Sequence, residues 1–239
     1  FPTRASLLTC LYAHQTGMGF TYTHYNDNPE PGARQGYLND QCVTIAEALK
    51  PAGYKTYMSG KWHLGEKKEH WPKKRGFDRY FGLISGASSY YKSIARYRPK
   101  AIFGKENSWW HPPGDDFYLT DAISDYAIDR VHEHAEKYAS NPFFMYLSYN
   151  APHWPIHAYE QDIQKFTGIY SQGWDVIRKN RFERMLKMQI LTSKHVLTER
   201  PDSVPSWSNV DNKEEWQRRM KVYAAMIYRM DRGIGRLIQ

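Results

Sequence analysis

Hydrophobic and polar residues follow two different periods along this chain. Apolar residues at helical spacing predict helices over residues 43–52, 120–138 and 213–238. Strand-like composition predicts a strand at residues 54–62, and a short, continuous apolar run at residues 143–150 is typical of a buried parallel strand. Because helical and strand segments alternate along the chain, the pattern predicts α/β layering.

Each helical pattern also predicts an inward face. The predicted inward residues are Ile45, Ala48 and Leu49 in the first helix, Ala122, Ile123, Tyr126, Ala127 and Val131 in the second, and Tyr223, Met226, Ile227, Met230, Ile234 and Leu237 in the third. Thr120 is the candidate N-cap of the second helix, and Gly53 ends the first. We interpret the two methionines of the third helix as core residues.

The remaining segments have weaker patterns. A short helix is predicted over residues 5–12, entered from Pro2, and a charged, interrupted helix over residues 174–200. Residues 84–117 are rich in Gly, Ser, Trp and Pro and are predicted to form a loop. The chain has 239 residues, the length of one large domain or of one with a small appendage, and shows no internal repeat.

Composition and charge argue against several classes of protein for this chain, among them nucleic-acid-binding, disulfide-rich and membrane-spanning proteins. The net charge of +8 predicts attraction to anions, but the basic residues are dispersed and form no recognisable nucleic-acid-binding motif, so nucleic acid is not an expected partner. Two cysteines, Cys10 and Cys42, exclude a disulfide framework. No run approaches the roughly 20 apolar residues of a membrane span. Because the chain starts at Phe1 without methionine or a visible signal peptide, we expect upstream sequence.

Three short segments carry candidate chemistry. Residues 1–4 (FPTR) open a helix, where a guanidinium beside unpaired backbone N–H groups suits a tetrahedral oxyanion. In residues 60–65 (GKWHLG), a lysine and a histidine alternate on an extended chain, so both project to one side and can bind an anion and move a proton. In residues 151–157 (APHWPIH), two prolines stiffen the loop that presents His153. A surface arginine and a structural histidine are the alternative interpretations.

Together these segments resemble the sulfatase family. Its hallmark is C-x-P-[ST]-R followed by a helix, in which the cysteine or a serine is oxidised to formylglycine, and residues 1–9 fit this hallmark from its second position onward. GKWHLG and APHWP match further family motifs in order. Residues 14–19 (HQTGMG) and 76–78 (GFD) add familiar context, and residues 223–238 look like the family's helix before a core strand. The resemblance covers nearly the whole chain.

The resemblance implies an α/β, alkaline-phosphatase-like fold in which helices sandwich a mixed sheet. Residues 1–239 would form an internal part of a single sulfatase catalytic domain, lacking its N-terminal strand and its C-terminal part. The implied activity is the hydrolysis of aryl or carbohydrate sulfate esters by a formylglycine immediately before Phe1. Without that nucleophile the isolated chain is expected to be inactive. The implied location is outside the cytoplasm, in the periplasm, the extracellular space or the lysosome.

The resemblance also implies roles for four catalytic residues. A hydrated formylglycine attacks sulfur and expels the alcohol, while Arg4 and Lys61 stabilise the formylglycine and the sulfate charge. His63 acts as the base that releases sulfate and regenerates the aldehyde. His153 contacts the sulfate and helps to protonate the leaving oxygen. Lys61 and His153 therefore also bind substrate.

Other binding groups are expected partly outside the chain. Ser88, Trp109 and Trp110 are candidate pocket residues. Family members hold one divalent cation, usually calcium, through oxygen ligands. We expect these ligands outside this chain, because Asp27-Asn28 and Asp211-Asn212 lack a preceding apolar strand and are typical turn or cap residues. The expected partners are a sulfated small molecule or glycan and a formylglycine-generating or sulfatase-maturing enzyme.

One departure and two alternatives complete the interpretation. Cys10 stands where the family commonly has glycine, inside the predicted helix and away from the motif, so it is not a candidate nucleophile. A phosphatase, phosphodiesterase or phosphonate hydrolase of the alkaline phosphatase superfamily is one alternative, although GKWHLG favours a sulfatase. A catalytically silent binder of sulfated glycans, holding the anion with Arg4, Lys61 and His153, is the other. The residue before Phe1 distinguishes catalysis from binding alone.

Overall fold

The chain forms two compact units. The computed structural model describes residues 2–20, 32–91, 101–114 and 116–239. The first unit comprises Phe1–Pro155 and Arg229–Gln239, and the second comprises Ile156–Tyr228. The Asp27-Asn28 pair and part of the predicted 84–117 loop lie outside the described residues. None of the helices in the described ranges combines the length and the hydropathy needed to span a bilayer.

A mixed sheet forms the centre of the first unit. Its strands are β1 (Lys55–Gly60), β2 (Arg79–Leu83), β3 (Phe103–Lys105), β4 (Ser108–Trp109) and β5 (Phe143–Ser148). In the order β4-β3-β2-β1-β5, β1 pairs in parallel with β2 and β5, whereas β3 runs antiparallel to β2 and β4. The three parallel strands therefore end at one edge of the sheet, which is where open α/β sheets place ligands.

Helices of the first unit cover both faces of this sheet. The α-helices in the described residues are α1 (Pro2–Thr9), α2 (Ile45–Leu49), α3 (Leu119–Lys137), α4 (Glu160–Ile163), α5 (Gly173–Lys187) and α6 (Lys213–Ile238). On one face, Met58 of β1 shares a buried apolar cluster with Leu8 of α1 and Ala46 of α2. On the other face, the Ser59 hydroxyl donates to the Ile123 carbonyl of α3 at 2.6 Å. The alternation of side chains along β1 thus confirms the predicted sandwich.

The first helix ends earlier than predicted. α1 ends at Thr9, and Cys10 adopts a left-handed conformation with φ 57°. The Cys10 N–H still donates to the Ser6 carbonyl at 2.9 Å, as expected of a residue that closes a helix. Cys10 therefore lies just beyond the helix rather than inside it. Glycine is favoured at such a position because it adopts positive φ without steric cost.

The predicted loop at residues 84–117 contains a hairpin, so the loop prediction is wrong there. β3 and β4 are joined by Glu106 and Asn107, both with positive φ, which is the conformation of a two-residue type I′ turn. The hairpin has three residues in one strand and two in the other, too few to show a hydrophobic period.

The predicted cap at Thr120 is also wrong, because α3 begins at Leu119 and its N-cap position is Tyr118.

Two predicted helix faces are rotated relative to the structure. In α6, Tyr223 is 47% exposed and Ile227 is 38% exposed, whereas Ala225 and Met226 are fully buried. Small residues form part of the buried arc, and a pattern of large apolar residues does not reveal them. In α2, Ala46 is buried in place of the predicted Ala48. The core role predicted for Met226 is confirmed.

The second unit is organised around Trp174. Its ring contacts the rings of Trp207 and Trp216 at centroid distances of 4.8 and 5.7 Å. Asp175 accepts hydrogen bonds from the Trp207 N–H at 2.9 Å and from the Arg200 Nε at 3.0 Å. The predicted helix over residues 174–200 is confirmed only as far as the end of α5, and the rest consists of turns and irregular chain.

Candidate active site

Strand β1 ends in a close approach to β5. Gly60 has φ +121°, and a β-carbon there would lie 1.9 Å from the Ser148 carbonyl oxygen, so only glycine fits. The next residue, Lys61, is fixed by its backbone: its N–H donates to the Ser148 carbonyl at 2.6 Å, and its carbonyl accepts from the Ser148 hydroxyl at 2.7 Å. Lys61 is only 4% exposed. The carboxyl ends of β1 and β5 thus hold a buried lysine in a fixed position.

The two residues after Lys61 form hydrogen bonds with the last residue of β2 and the residue that follows it. The Trp62 N–H donates to the Leu83 carbonyl at 2.8 Å, and the His63 N–H donates to the Ile84 carbonyl at 3.0 Å. Trp62, between the two polar side chains in sequence, is fully buried. The predicted extended conformation is wrong at His63, which has φ 56° and is 8% exposed. A left-handed histidine at the edge of a ligand-binding sheet is a strained position of the kind that clusters at functional sites.

His153 lies in a loop just beyond the carboxyl end of β5. Its N–H donates to the Asn150 carbonyl at 3.0 Å, and its carbonyl accepts from the Tyr90 hydroxyl at 3.0 Å. Burial raises the pKa of Tyr90 well above its usual range, so this hydroxyl remains a donor at any ordinary pH. The His153 ring is exposed, and its Nδ1 contacts the Trp154 carbonyl. Since a carbonyl only accepts, this contact requires the proton on Nδ1.

Arg4 lies in the first turn of α1. Ala5 and Leu8 of this helix pack into the same buried cluster as Trp62, which precedes His63, and Ile84, whose carbonyl accepts from the His63 N–H. The Arg4 Nε is buried, and no acceptor among the described residues hydrogen-bonds to it. Because an unpaired buried donor costs about 1–3 kcal/mol, an anionic ligand at this nitrogen would be stabilised.

The sulfatase family model matches residues 1–239. The chain belongs to the sulfatase family. An uncharacterised sulfatase of Schizosaccharomyces pombe is 36% identical over 254 residues, which cover 99% of this chain and 45% of that protein. An arylsulfatase of Klebsiella aerogenes is 30% identical over 258 residues, covering 100% of this chain and 51% of that protein. This sulfatase chain therefore spans about half the length of these two relatives.

Solved structures place the sulfatase chain in the same fold. The structure of Ps i-CgsB in complex with k-i-k-neocarrahexaose superimposes with a TM-score of 0.66 and 26% identity, covering 99% of this chain and 43% of that one. A structure with bound D-glucosamine-2-N,6-O-disulfate, its substrate, has a TM-score of 0.60 and 22% identity, covering 99% of this chain and 51% of that one. The alkaline-phosphatase-like α/β fold expected from the sequence is thus confirmed.

The predicted pocket residues of the sulfatase lie in different surroundings. Ser88 is buried, and its hydroxyl donates to the Ser89 carbonyl at 2.9 Å. The exposed Trp109 packs edge-on against Trp71 at a centroid distance of 5.0 Å, and Trp110 packs against Phe81 at 4.9 Å. Their binding role stays a prediction, as do the catalytic roles of the four residues described above.

The described residues do not fit a metal site. Within the described ranges, no group of three or more His, Cys, Asp and Glu side chains could hold a metal ion. Asn212 directly precedes α6, and its carbonyl accepts from the N–H groups of Glu215 and Trp216. This is the backbone pattern of a helix N-cap, which agrees with the cap interpretation of the Asp211-Asn212 pair. We therefore assign no step below to a metal.

Sequence reasoning overlooked two residues that position the site, Ser148 and Tyr90. The glycines of the GKWHLG motif were a visible signal of tight turns, and both Gly60 and Gly65 have positive φ. Ser148 and Tyr90 gave no such signal, because they act on partners 87 and 63 residues away. Their function depends on the pairing of strands that a linear pattern does not show.

Proposed function

We propose that this chain supplies the anion-binding and proton-transfer groups of a sulfatase that hydrolyses aryl or carbohydrate sulfate esters. The observation that supports this best is the position of Lys61 and His153 at the carboxyl ends of two paired parallel strands, β1 and β5. These residues lie in a chain that matches the sulfatase model throughout. Fixed charges at such an edge can bind a tetrahedral anion without rearrangement.

The proposed sulfate contacts are Lys61 and Arg4. Lys61 is buried, and its backbone N–H and carbonyl are both hydrogen-bonded to Ser148. The position of its backbone is therefore fixed. The buried Arg4 Nε offers a second donor. Two fixed cations directed at the developing negative charge would stabilise the transition state.

The proposed proton transfers involve two histidines. His153, protonated on both nitrogens, would give the Nε2 proton to the leaving oxygen, since Nδ1–H is directed to the Trp154 carbonyl. His63 would accept a proton when sulfate is released. Its left-handed backbone and its N–H bond to Ile84 keep the ring at one place beside β2.

The proposed nucleophile and the proposed metal ligands lie outside residues 1–239. A formylglycine immediately before Phe1 would supply the attacking oxygen, and a sulfatase-maturing enzyme would form it. Calcium, bound by ligands outside this chain, would supply further positive charge. We propose accordingly that residues 1–239 are an internal part of the catalytic domain, that the isolated chain is inactive and that the whole protein is exported.

The relatives support aryl and carbohydrate sulfates as the substrate class. The Klebsiella aerogenes relative is an arylsulfatase. An N-acetylgalactosamine-6-sulfatase of Canis lupus familiaris is 32% identical over 164 residues, which cover 66% of this chain and 31% of that protein. We propose that the ester acted on by this protein belongs to one of these two classes.

Steady-state kinetics of the full-length protein test the proposal. With an aryl sulfate or a sulfated sugar as substrate, Lys61→Ala and His153→Ala should each lower kcat/KM by at least about 10²-fold, because both groups act on the transition state. Lys179→Ala and His132→Ala, at exposed helix positions, are the matched controls and should retain wild-type kinetics. Wild-type kinetics in either site variant would contradict the assignment. Faster release of phosphate than of sulfate would instead favour a phosphatase.

A further inference from the structure

Gly86 lies against the imidazole of His63. It follows the end of β2 by three residues, and a β-carbon built on it would lie 2.2 Å from His63 Nε2 and 2.3 Å from His63 Cε1. Real β-carbons essentially never approach a heavy atom this closely. The histidine ring therefore occupies the volume that any side chain at position 86 would need. Gly86 is not among the glycines with positive φ, so the steric contact with the ring, rather than the backbone, excludes other residues.

The backbone on both sides of this contact is held by hydrogen bonds. The His63 N–H is bonded to the Ile84 carbonyl at 3.0 Å, and the preceding Trp62 is fully buried. On the Gly86 side, the buried Ser85 accepts a hydrogen bond from the Ile102 N–H at 3.0 Å through its hydroxyl. The Ile84 N–H also donates to the Ile102 carbonyl at 2.8 Å. A new β-carbon would thus have to displace the imidazole itself.

We infer that Gly86 is a positioning residue for His63. Its missing side chain leaves the volume that the ring occupies beside the carboxyl end of β2. The inference rests on the proposed function, in which His63 accepts a proton during sulfate release. An alanine at position 86 would push Nε2 away from that place while leaving the chemical nature of every polar group unchanged. Gly86 would act through His63 and needs no contact with the substrate.

Kinetics of Gly86→Ala in the full-length protein give the first test. Because a displacement of about 1 Å at a catalytic group can cost about 10²-fold in rate, kcat should fall by about that factor. KM should change little, since Lys61 and Arg4 are untouched. The limb of the pH–kcat profile that reports on His63 should shift in Gly86→Ala. Gly235→Ala is the matched control, because a β-carbon there meets no atom within 4 Å, and it should leave both kcat and the pH profile unchanged.

A double-mutant cycle gives a readout that does not depend on activity. The urea unfolding midpoints are compared for the wild type, Gly86→Ala, His63→Ala and the double variant. Gly86→Ala should lower the midpoint in the wild type but should leave it unchanged in the His63→Ala background, where the ring is absent. An equal loss in both backgrounds would overturn the inference, because the new methyl group would then clash with something other than the imidazole.

Two further results are decisive. If Gly86→Ala does not fold, the double variant must restore folding, and its failure to do so would overturn the inference. If the wild-type protein releases no sulfate, the proposed function fails, but the comparison of midpoints still shows whether Gly86 and His63 are coupled. The two failures are therefore distinguishable.

Discussion

Arg75 forms hydrogen bonds that hold the segment before α2 against the core, and its removal should lower the free energy of unfolding. It is 7% exposed, its Nε donates to Glu47 at 3.1 Å, and its two terminal nitrogens donate to the carbonyls of Leu38 at 3.1 Å and Cys42 at 2.6 Å. Burial alone would lower the pKa of Arg75, but the bonds to Glu47 and Cys42 raise it, so the guanidinium is charged whenever the protein is folded.

The substitution Arg75→Met keeps most of the side-chain volume and removes all of these donors. Breaking a buried ion pair by deleting one partner costs about 3–5 kcal/mol, and each carbonyl left unpaired costs about 1–3 kcal/mol within that total. The Glu47 side chain is 29% exposed, so water can solvate part of the orphaned carboxylate. We therefore expect a loss at the lower end, about 3 kcal/mol of unfolding free energy.

Urea unfolding followed by tryptophan fluorescence measures this loss. Arg219→Met is the matched control, because Arg219 forms an exposed ion pair with Glu215 on α6 and such pairs contribute about 0–1 kcal/mol. Arg75→Lys should fall between the wild type and Arg75→Met, because lysine keeps the charge but not the planar fork. A loss below about 1 kcal/mol for Arg75→Met would refute the reasoning, since it would place Arg75 among the exposed pairs.

Three other predictions concern pH, strain and helix packing. Burial alone would raise the pKa of Asp78, but Lys50 at 2.8 Å and further hydrogen bonds lower it. The stabilising contribution of Asp78 is therefore complete above its unfolded pKa of about 3.9 and is lost as the pH falls through the lower folded value. Asp78→Asn should flatten the pH dependence of stability in that window, and an unchanged slope would contradict this. Cys10→Gly should raise the unfolding free energy by about 0.5–1 kcal/mol by relieving the left-handed conformation, while Cys10→Ala should not; equal effects would show that the thiol matters and not the backbone. In α6, Gly235→Ala should stabilise by about 0.5–1 kcal/mol, whereas Gly233→Ala should destabilise by about 1–3 kcal/mol, because its β-carbon would lie 2.1 Å from a serine hydroxyl of α3; melting temperatures that shift in the same direction would refute this packing.

Local patterns predicted most of the fold. The apolar run that forms β5 was sufficient to predict a parallel strand, because buried strands require continuous hydrophobic residues, and the strand-like composition of residues 54–62 predicted β1. The long amphipathic helices α3 and α6 were also predictable. The hairpin of β3 and β4 was not, since its stability comes from pairing with β2 and from the turn at Glu106 and Asn107. Cys10 shows the same limit, because its sequence neighbours continue a helical pattern that its backbone ends.

The candidate site was predictable where chemistry depends on residue type. Lys61, His63 and His153 stand in recognisable motifs, and the structure places all three just beyond the ends of parallel strands. Ser148 and Gly86 were not predictable, because one is defined by a hydrogen bond to a distant backbone and the other by a side chain that it lacks. Such supporting residues become visible only when the strands are paired.

Mass spectrometry of the full-length protein tests the central claim most directly. The peptide to be measured contains Pro2-Thr3-Arg4 and the residue immediately before Phe1. Our account predicts formylglycine at that position, which would establish the nucleophile that Arg4, Lys61 and the two histidines are proposed to serve. A residue other than formylglycine, cysteine or serine would contradict the account and leave this chain as a binder of sulfated ligands without turnover.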